Sequence, residues 1–458
     1  MQEPVWPSML PGVPGKDPVN ADRVLSSWQR GPARARCAAG RQDVGMLRSF
    51  QVTNHKSLAE TQELRLTKGS GPVAVPVTAI YGAPAAGKSS VLDALAQMRE
   101  AVLHSVTGWD PYAGPVRSPH LGFGDRPSEF VAGFVAEGVP YTYGFRLDNA
   151  DVSAEWLHTH PRARKRIVFE RRGDQVKVGP AFEAVRYGIT ALVPLVRPNA
   201  LLLGLAGQMY AEALVPAYRW FDSMLEVQHG PTDPQTVEYR LGSHLSRSSE
   251  HAARLLTLLR SAELGITDLL VREPDPRYAD YLRELDADIA GIGTQLELCT
   301  TSPEHAARLR DEHGMTPLLL ERELTNMTSA RDALYARMVA RSGVGLGLLH
   351  DGVDAPFGLA DESTAAVSLL RLLPTLLDAL DTGRVLAVDD LGAQLPAEET
   401  DRLIQLFQNP DTNSRGAQLV YTSSDRGLAE RAARARRSHH VLWQVSRTES
   451  GSSELGPA

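Results

Sequence analysis

The segment GAPAAGKS, Gly82 to Ser89, has the residue types and spacing of a loop that holds a phosphate chain, G-x-x-x-x-G-K-[ST]. Gly82 and Gly87 allow tight wrapping, with Ala83, Pro84, Ala85 and Ala86 between them forming the concavity. Lys88 is placed to reach the β- and γ-phosphates, and the Ser89 hydroxyl to join a magnesium shell. Ser90 opens the helix whose N-terminus adds partial positive charge. A second stretch, VLAVDD, reads as a buried strand ending in acid. Asp389 would orient a magnesium-bound water, and Asp390 would polarise the water that attacks the nucleotide. A plain glycine-rich turn and acids that merely end a strand are the alternatives. The strand–loop–helix context and the presence of both motifs in one chain favour ATP with Mg2+ as the ligand.

These residues need elements to carry them. VAVPVTAIY, Val73 to Tyr81, predicts a strand entering the loop, and Val91, Leu92, Ala94, Leu95, Met98 and Val102 recur at helical spacing after it. LRSFQVTNHKSL after Met46 alternates as a half-buried strand, and Ser128–Asp148 predicts a hairpin turning at Glu137-Gly138. AEWLHTH and RIVFERR read as further strands. Residues 46–200 are therefore the N-terminal part of an α/β core with a β-rich lobe. Residues 201–343 read as a helical insertion or lid, and 344–448 return to strand–helix alternation with VLAVDD and AQLVYTSSD as buried strands. Residues 1–45, interrupted by six prolines, are expected to be a flexible leader with Met46 a candidate start, and 449–458 a flexible tail.

Bulk properties narrow the setting. The 458 residues are 43% hydrophobic and 22% charged, and no stretch approaches the length of a membrane span, so no membrane partner is expected. Two cysteines, Cys37 and Cys299, exclude a disulfide scaffold or zinc ribbon and fit a reducing cytoplasm. A net charge of −7 offers no global attraction to nucleic acid. RARKR (162–166) and RAARARR (431–437) fit local phosphate contacts or, more simply, solvated faces. His158/His160 and His439/His440 lack further ligands at metal spacing, and the Asp286-x-Asp288 pair reads as a solvated helix face.

MLRSFQVTNHKSL, AIYGAPAAGKSSVLDAL, EWL, FERR, RPNALLL and the stretch from LLPTLLDAL through NPDTNSRGAQLVYTSSD together resemble the ABC-like AAA-type ATPases. More closely they resemble the abortive-infection group, related to overcoming-lysogenisation-defect and SMC/RecF-like proteins. The resemblance spans most of Met46–Gln444 and is weakest in the helical insertion. It implies an ABC-type P-loop head, split in sequence by the insertion. Such heads form homodimers that sandwich ATP between one P-loop and the partner's signature motif, and gate a separate nuclease-like effector in antiphage defence. In LADEST only Thr364 matches the signature, with Asp361 and Ser363 in the places of its Ser and Gly. The catalytic acid is Asp390 rather than Glu, Gly392 and Pro396 stand at D-loop positions, and Ser424 replaces the switch His. Lys56 lies where similar heads bring a basic residue near the nucleotide, with plain solvent exposure the simpler reading. The expected function is an ATP-dependent switch with slow hydrolysis; the alternative is a non-hydrolysing ATP-binding scaffold that recruits a partner. No acceptor motif supports a small-molecule kinase, and no N-K-x-D supports a GTPase.

Overall fold

The computed structural model describes residues 45–458 except 69–72, 162–163, 210, 231–233, 248, 272–275, 343–345, 354 and 436–439. Residues 1–44, Cys37, the first residues of RARKR, the last of RAARARR, and His439 therefore lie outside the described residues. The chain divides into two units. One comprises Thr375–Ala458 and residues 45–230; the other is Pro231–Pro374. The fold is α/β, a P-loop head with a β-rich lobe and a helical insertion.

The head unit holds two sheets. The first is antiparallel and has seven strands: β1 (Leu47–Thr53), β2 (Gln62–Arg65), β4 (Ser128–Ala136), β5 (Val139–Leu147), β6 (Val152–Thr159), β7 (Arg166–Arg172) and β8 (Gln175–Val178), in the order β2-β1-β4-β5-β6-β7-β8. Alternation along these strands places Phe50, Val52, Phe130, Phe134 and Phe145 on the buried face. The β4–β5 hairpin turns at Glu137-Gly138, both at positive φ (52° and 76°), the conformation a two-residue hairpin turn demands.

The second sheet runs β15-β14-β3-β13-β12-β9, from β3 (Val77–Tyr81), β9 (Leu225–Gln228), β12 (Val385–Val388), β13 (Gln418–Ser423), β14 (His440–Arg447) and β15 (Ser453–Pro457). All its pairings are parallel except β14–β15. β3 and β12 are buried along their whole length, as the apolar runs VTAIY and VLAV require of strands covered on both faces. The helix Lys88–His104 buries Val91, Leu92, Ala94, Leu95, Met98, Ala101 and Val102 in a core shared with both sheets. A buried amide ties the sheets directly: Gln418 accepts from the Leu47 N–H at 2.9 Å and donates to the Leu47 and Val75 carbonyls at 3.0 Å each.

Several boundaries differ from the sequence expectation. Residues 201–230 join the head rather than the helical insertion, because Leu201, Leu202, Leu203, Trp220 and Phe221 are buried in the head core and β9 pairs with β12. Helical periodicity signals an amphipathic segment but not which core accepts it. The tail is not a flexible end: Ser453–Pro457 forms β15 along β14. Gly45, placed with the leader, is buried, and its carbonyl accepts from Trp220 Nε1 at 2.7 Å.

In the second unit, helices Pro234–Arg247, Ser249–Ser261, Pro276–Thr301, Pro303–His313 and Pro317–Ser342 accompany an antiparallel pair, β10 (Ile266–Val271) and β11 (Leu346–His350). β11 and the LADEST segment thus belong to this unit, whereas the sequence pattern places 344–374 with the head. Asp286 accepts from Arg331 Nε at 3.0 Å across two of these helices.

Candidate functional site

β3 delivers the chain into the loop and Lys88–His104 leads it out. Ala85 (φ 62°) and Gly87 (φ 102°) adopt left-handed backbone, and the Ala86 N–H closes an internal turn on the Ala83 carbonyl at 3.1 Å. Ala83, Pro84 and Ala85 are exposed while Gly82 and Ala86 are buried, so the loop presents one side outward. Lys88 is only 8% exposed, and its Nζ donates to the Gly82 and Ala83 carbonyls at 3.0 Å each. Its cationic head is therefore held over the loop.

Asp389 sits directly beyond β12. Its Oδ1 accepts from Ser89 Oγ at 3.1 Å and from Thr422 Oγ1 at 2.6 Å, and its N–H donates to the Gln228 carbonyl at 2.9 Å. Residues 300 positions apart thus converge because β12 and β3 flank β13. Ser89 and Asp389 offer oxygen donors only, the donor set a magnesium ion takes. Asp390 follows with left-handed backbone (φ 56°), its N–H donating to Thr422 Oγ1 at 2.7 Å. Its carboxylate is exposed and has no partner among the described residues. Ser90 Oγ is 2.8 Å from Ser57 Oγ.

Lys56, with φ 48°, reaches Asp93 on the loop's helix at 2.5 Å. His55 Nε2 meets the other Asp93 oxygen at 2.7 Å, and His229 Nε2 lies 3.5 Å away. Burial works against ionising Asp93, but the hydrogen bonds and charges of His55 and Lys56 outweigh it and hold the carboxyl at about 2.

Thr364, Asp361 and Ser363 belong to the second unit. Ser363 Oγ accepts the Ala366 N–H at 3.2 Å as an N-cap of the helix Thr364–Thr382, and Asp361 folds back onto the Gly358 N–H at 3.1 Å. Gly392 (φ 87°) follows Asp390, whereas Ser424 is exposed beyond β13. Thr422, two residues earlier in YTSSD, is the hydroxyl that touches Asp389. Sequence reasoning missed Thr422, Gln228, His55 and Asp93. A Thr as the penultimate residue of a buried strand is the available signal for the first. His158 pairs with Glu170 at 2.9 Å and His160 lies 2.9 Å from Thr142, so both serve strand packing.

A family model described as an AAA domain, putative AbiEii toxin, Type IV TA system, matches residues 77–425. No curated protein matches the sequence. Solved structures with a similar path include the SMC head domain from Thermotoga maritima, at 12% identity and TM-score 0.38, covering 90% of this chain and 98% of that one. An SmcHead bound to the C-winged helix domain of ScpA is similar at 11% identity and TM-score 0.41, covering 90% and 97%. Among the described residues no helix is long and apolar enough to cross a membrane.

Proposed function

The chain belongs to the family of AAA domains described as putative AbiEii toxin, Type IV TA system, and from that premise we propose that it is an ATP-dependent switch with slow hydrolysis. The observation that carries this reading is the contact of Ser89 Oγ with Asp389 Oδ1 beside a Lys88 held over the loop. That arrangement suits a nucleotide triphosphate with Mg2+. Gly82–Ser90 would cradle the phosphates, Ser89 and Asp389 would hold the metal and its water, and Asp390 would polarise the attacking water. Two heads would pair as a homodimer across ATP, with Thr364 the remaining signature residue. A separate effector and a role in antiphage defence follow from the resemblance of the motifs.

A second reading, a non-hydrolysing scaffold, draws on one observation. The Asp390 carboxylate is exposed and unanchored among the described residues, whereas a general base works best when a third group orients it. Mg-ATP binding and turnover on one preparation of wild type, Lys88→Ala and Asp390→Asn separate the readings. Lys88→Ala is expected to weaken Mg-ATP at least about tenfold. Turnover abolished by Asp390→Asn, with binding retained, supports the ATPase. Turnover equal in wild type and Lys88→Ala supports the scaffold, and absence of wild-type binding overturns both.

A further inference from the structure

The two glycines of the phosphate loop face the C-terminal hairpin. A Cβ on Gly82 would lie 2.4 Å from the Val445 carbonyl oxygen in β14. A Cβ on Gly87 would lie 2.0 Å from Ser453 Oγ and 2.6 Å from Ser57 Oγ. Ser453 opens β15, is 2% exposed, and donates through Oγ to the Ala86 carbonyl at 2.7 Å. Its own N–H donates to the Ser57 carbonyl at 2.7 Å. The Ser57 hydroxyl lies 2.8 Å from Ser453 Oγ and 2.8 Å from Ser90 Oγ, so three hydroxyls line the underside of the loop. β15 is anchored on its other side by Gln62, whose Oε1 accepts the Leu455 N–H at 2.7 Å. The family match ends at Asp425, so β14 and β15 lie outside it.

We infer that Ser453 is a positioning residue of the phosphate loop, fixing the plane of the Ala86–Gly87 peptide so that the Gly87 N–H is presented to a bound phosphate. The reason is covalent. In a trans peptide the C=O and N–H point in opposite directions. A carbonyl held by Ser453 on the underside therefore sends the Gly87 N–H the opposite way. Gly87, at φ 102° and without a Cβ, has little intrinsic preference to hold that plane by itself. An external donor supplies the preference, and a preorganised N–H is worth more to an anionic ligand than one that must reorient. The C-terminal strand thereby becomes part of the nucleotide site, and this inference rests on the nucleotide reading above.

The test uses the full chain. Mg-ATP and Mg-ADP affinities are measured by calorimetry, with ligand-free Tm, for wild type, Ser453→Ala and Gln62→Ala. Ser453→Ala is expected to weaken both nucleotides about tenfold, the effect of one charge-assisted hydrogen bond, with ligand-free Tm nearly unchanged. Gln62→Ala, which loosens the same strand without touching the loop, is expected to keep wild-type affinity. If Ser453→Ala does not fold, Ser453→Cys, with its weaker donor, takes its place with the same expectation. Wild-type affinity in the Ser453 variant, or equal weakening in Gln62→Ala, overturns the inference. Wild type that binds neither nucleotide overturns the reading beneath it instead.

Discussion

Asp93 gathers three basic partners at the first turns of the phosphate-loop helix: His55 at 2.7 Å, Lys56 at 2.5 Å and His229 at 3.5 Å. Its folded-state carboxyl sits at about 2 against an ordinary 3.8. A depressed acid contributes stability that is complete above the unfolded value and lost as pH falls through the folded one. Asp93→Asn should therefore lower stability by about 1–2 kcal/mol at pH 7, after discounting for solvent screening. The gap to wild type should stay constant down to about pH 5 and close between pH 4 and 2. Urea unfolding at several pH values checks this, and a gap that widens towards acid would contradict it. At Gly87 the backbone and the space argue together. Gly87→Ala places a Cβ against Ser453 Oγ in a left-handed conformation, and should destabilise by at least ~2 kcal/mol. A melting temperature equal to wild type would show that the hairpin yields easily.

At the scale of elements, EWL, FERR and RPNALLL form one buried junction. Glu155, 1% exposed, accepts from the N–H groups of Leu202 (2.7 Å) and Leu203 (2.9 Å), from Tyr143 Oη (2.9 Å) and from Arg171 Nη1 (3.3 Å). It thus satisfies the first donors of the helix Leu202–Gln208. Burial, then the Glu155 charge, pushes the Tyr143 phenol well above its ordinary value, so it remains a donor. Arg171 continues to the Ala200 carbonyl at 2.8 Å, and Arg197 Nη2 reaches the Ser105 and Val106 carbonyls at the end of the phosphate-loop helix. Removing one member leaves a buried charge unpaired, so Glu155→Ala should cost about 3–5 kcal/mol. Denaturant unfolding measures it; a loss below 1 kcal/mol would mean water readily replaces the carboxylate. Asn413 plays a similar local part in NPDTNSRGAQL. It donates to the Phe407 and Ala417 carbonyls at 2.8 Å each and accepts the Ala417 N–H at 2.6 Å, closing the loop that feeds β13.

For the whole molecule, the division at Pro231 and Pro374 separates the phosphate loop and Asp389 from Thr364. If two heads pair across ATP, Asp390→Asn should accumulate a Mg-ATP-dependent dimer that Lys88→Ala does not form. Light scattering after size exclusion, with and without Mg-ATP, reads this directly. A monomer under saturating nucleotide would remove the homodimer from the proposal and leave the binding site intact.

What the sequence determined by itself is local. Gly82–Ser89 between a β-branched run and a 3.6-residue apolar period specifies strand, loop and helix, because glycine freedom and side-chain periodicity act over a few residues. The hairpin at Glu137-Gly138 and the buried runs VLAV and QLVYTS were legible for the same reason. Convergence was not. That β9 enters the sheet beside β12, that Thr422 rather than Ser424 meets Asp389, and that the C-terminal residues become β15 beneath the loop all depend on strand order. Strand order is decided by which distant apolar faces bury one another, and a linear pattern carries the faces without the pairing. Gly82 and Gly87 show both levels in one motif. Their spacing announces a phosphate loop, but only the folded chain reveals that Val445 and Ser453 fill the space a side chain would need.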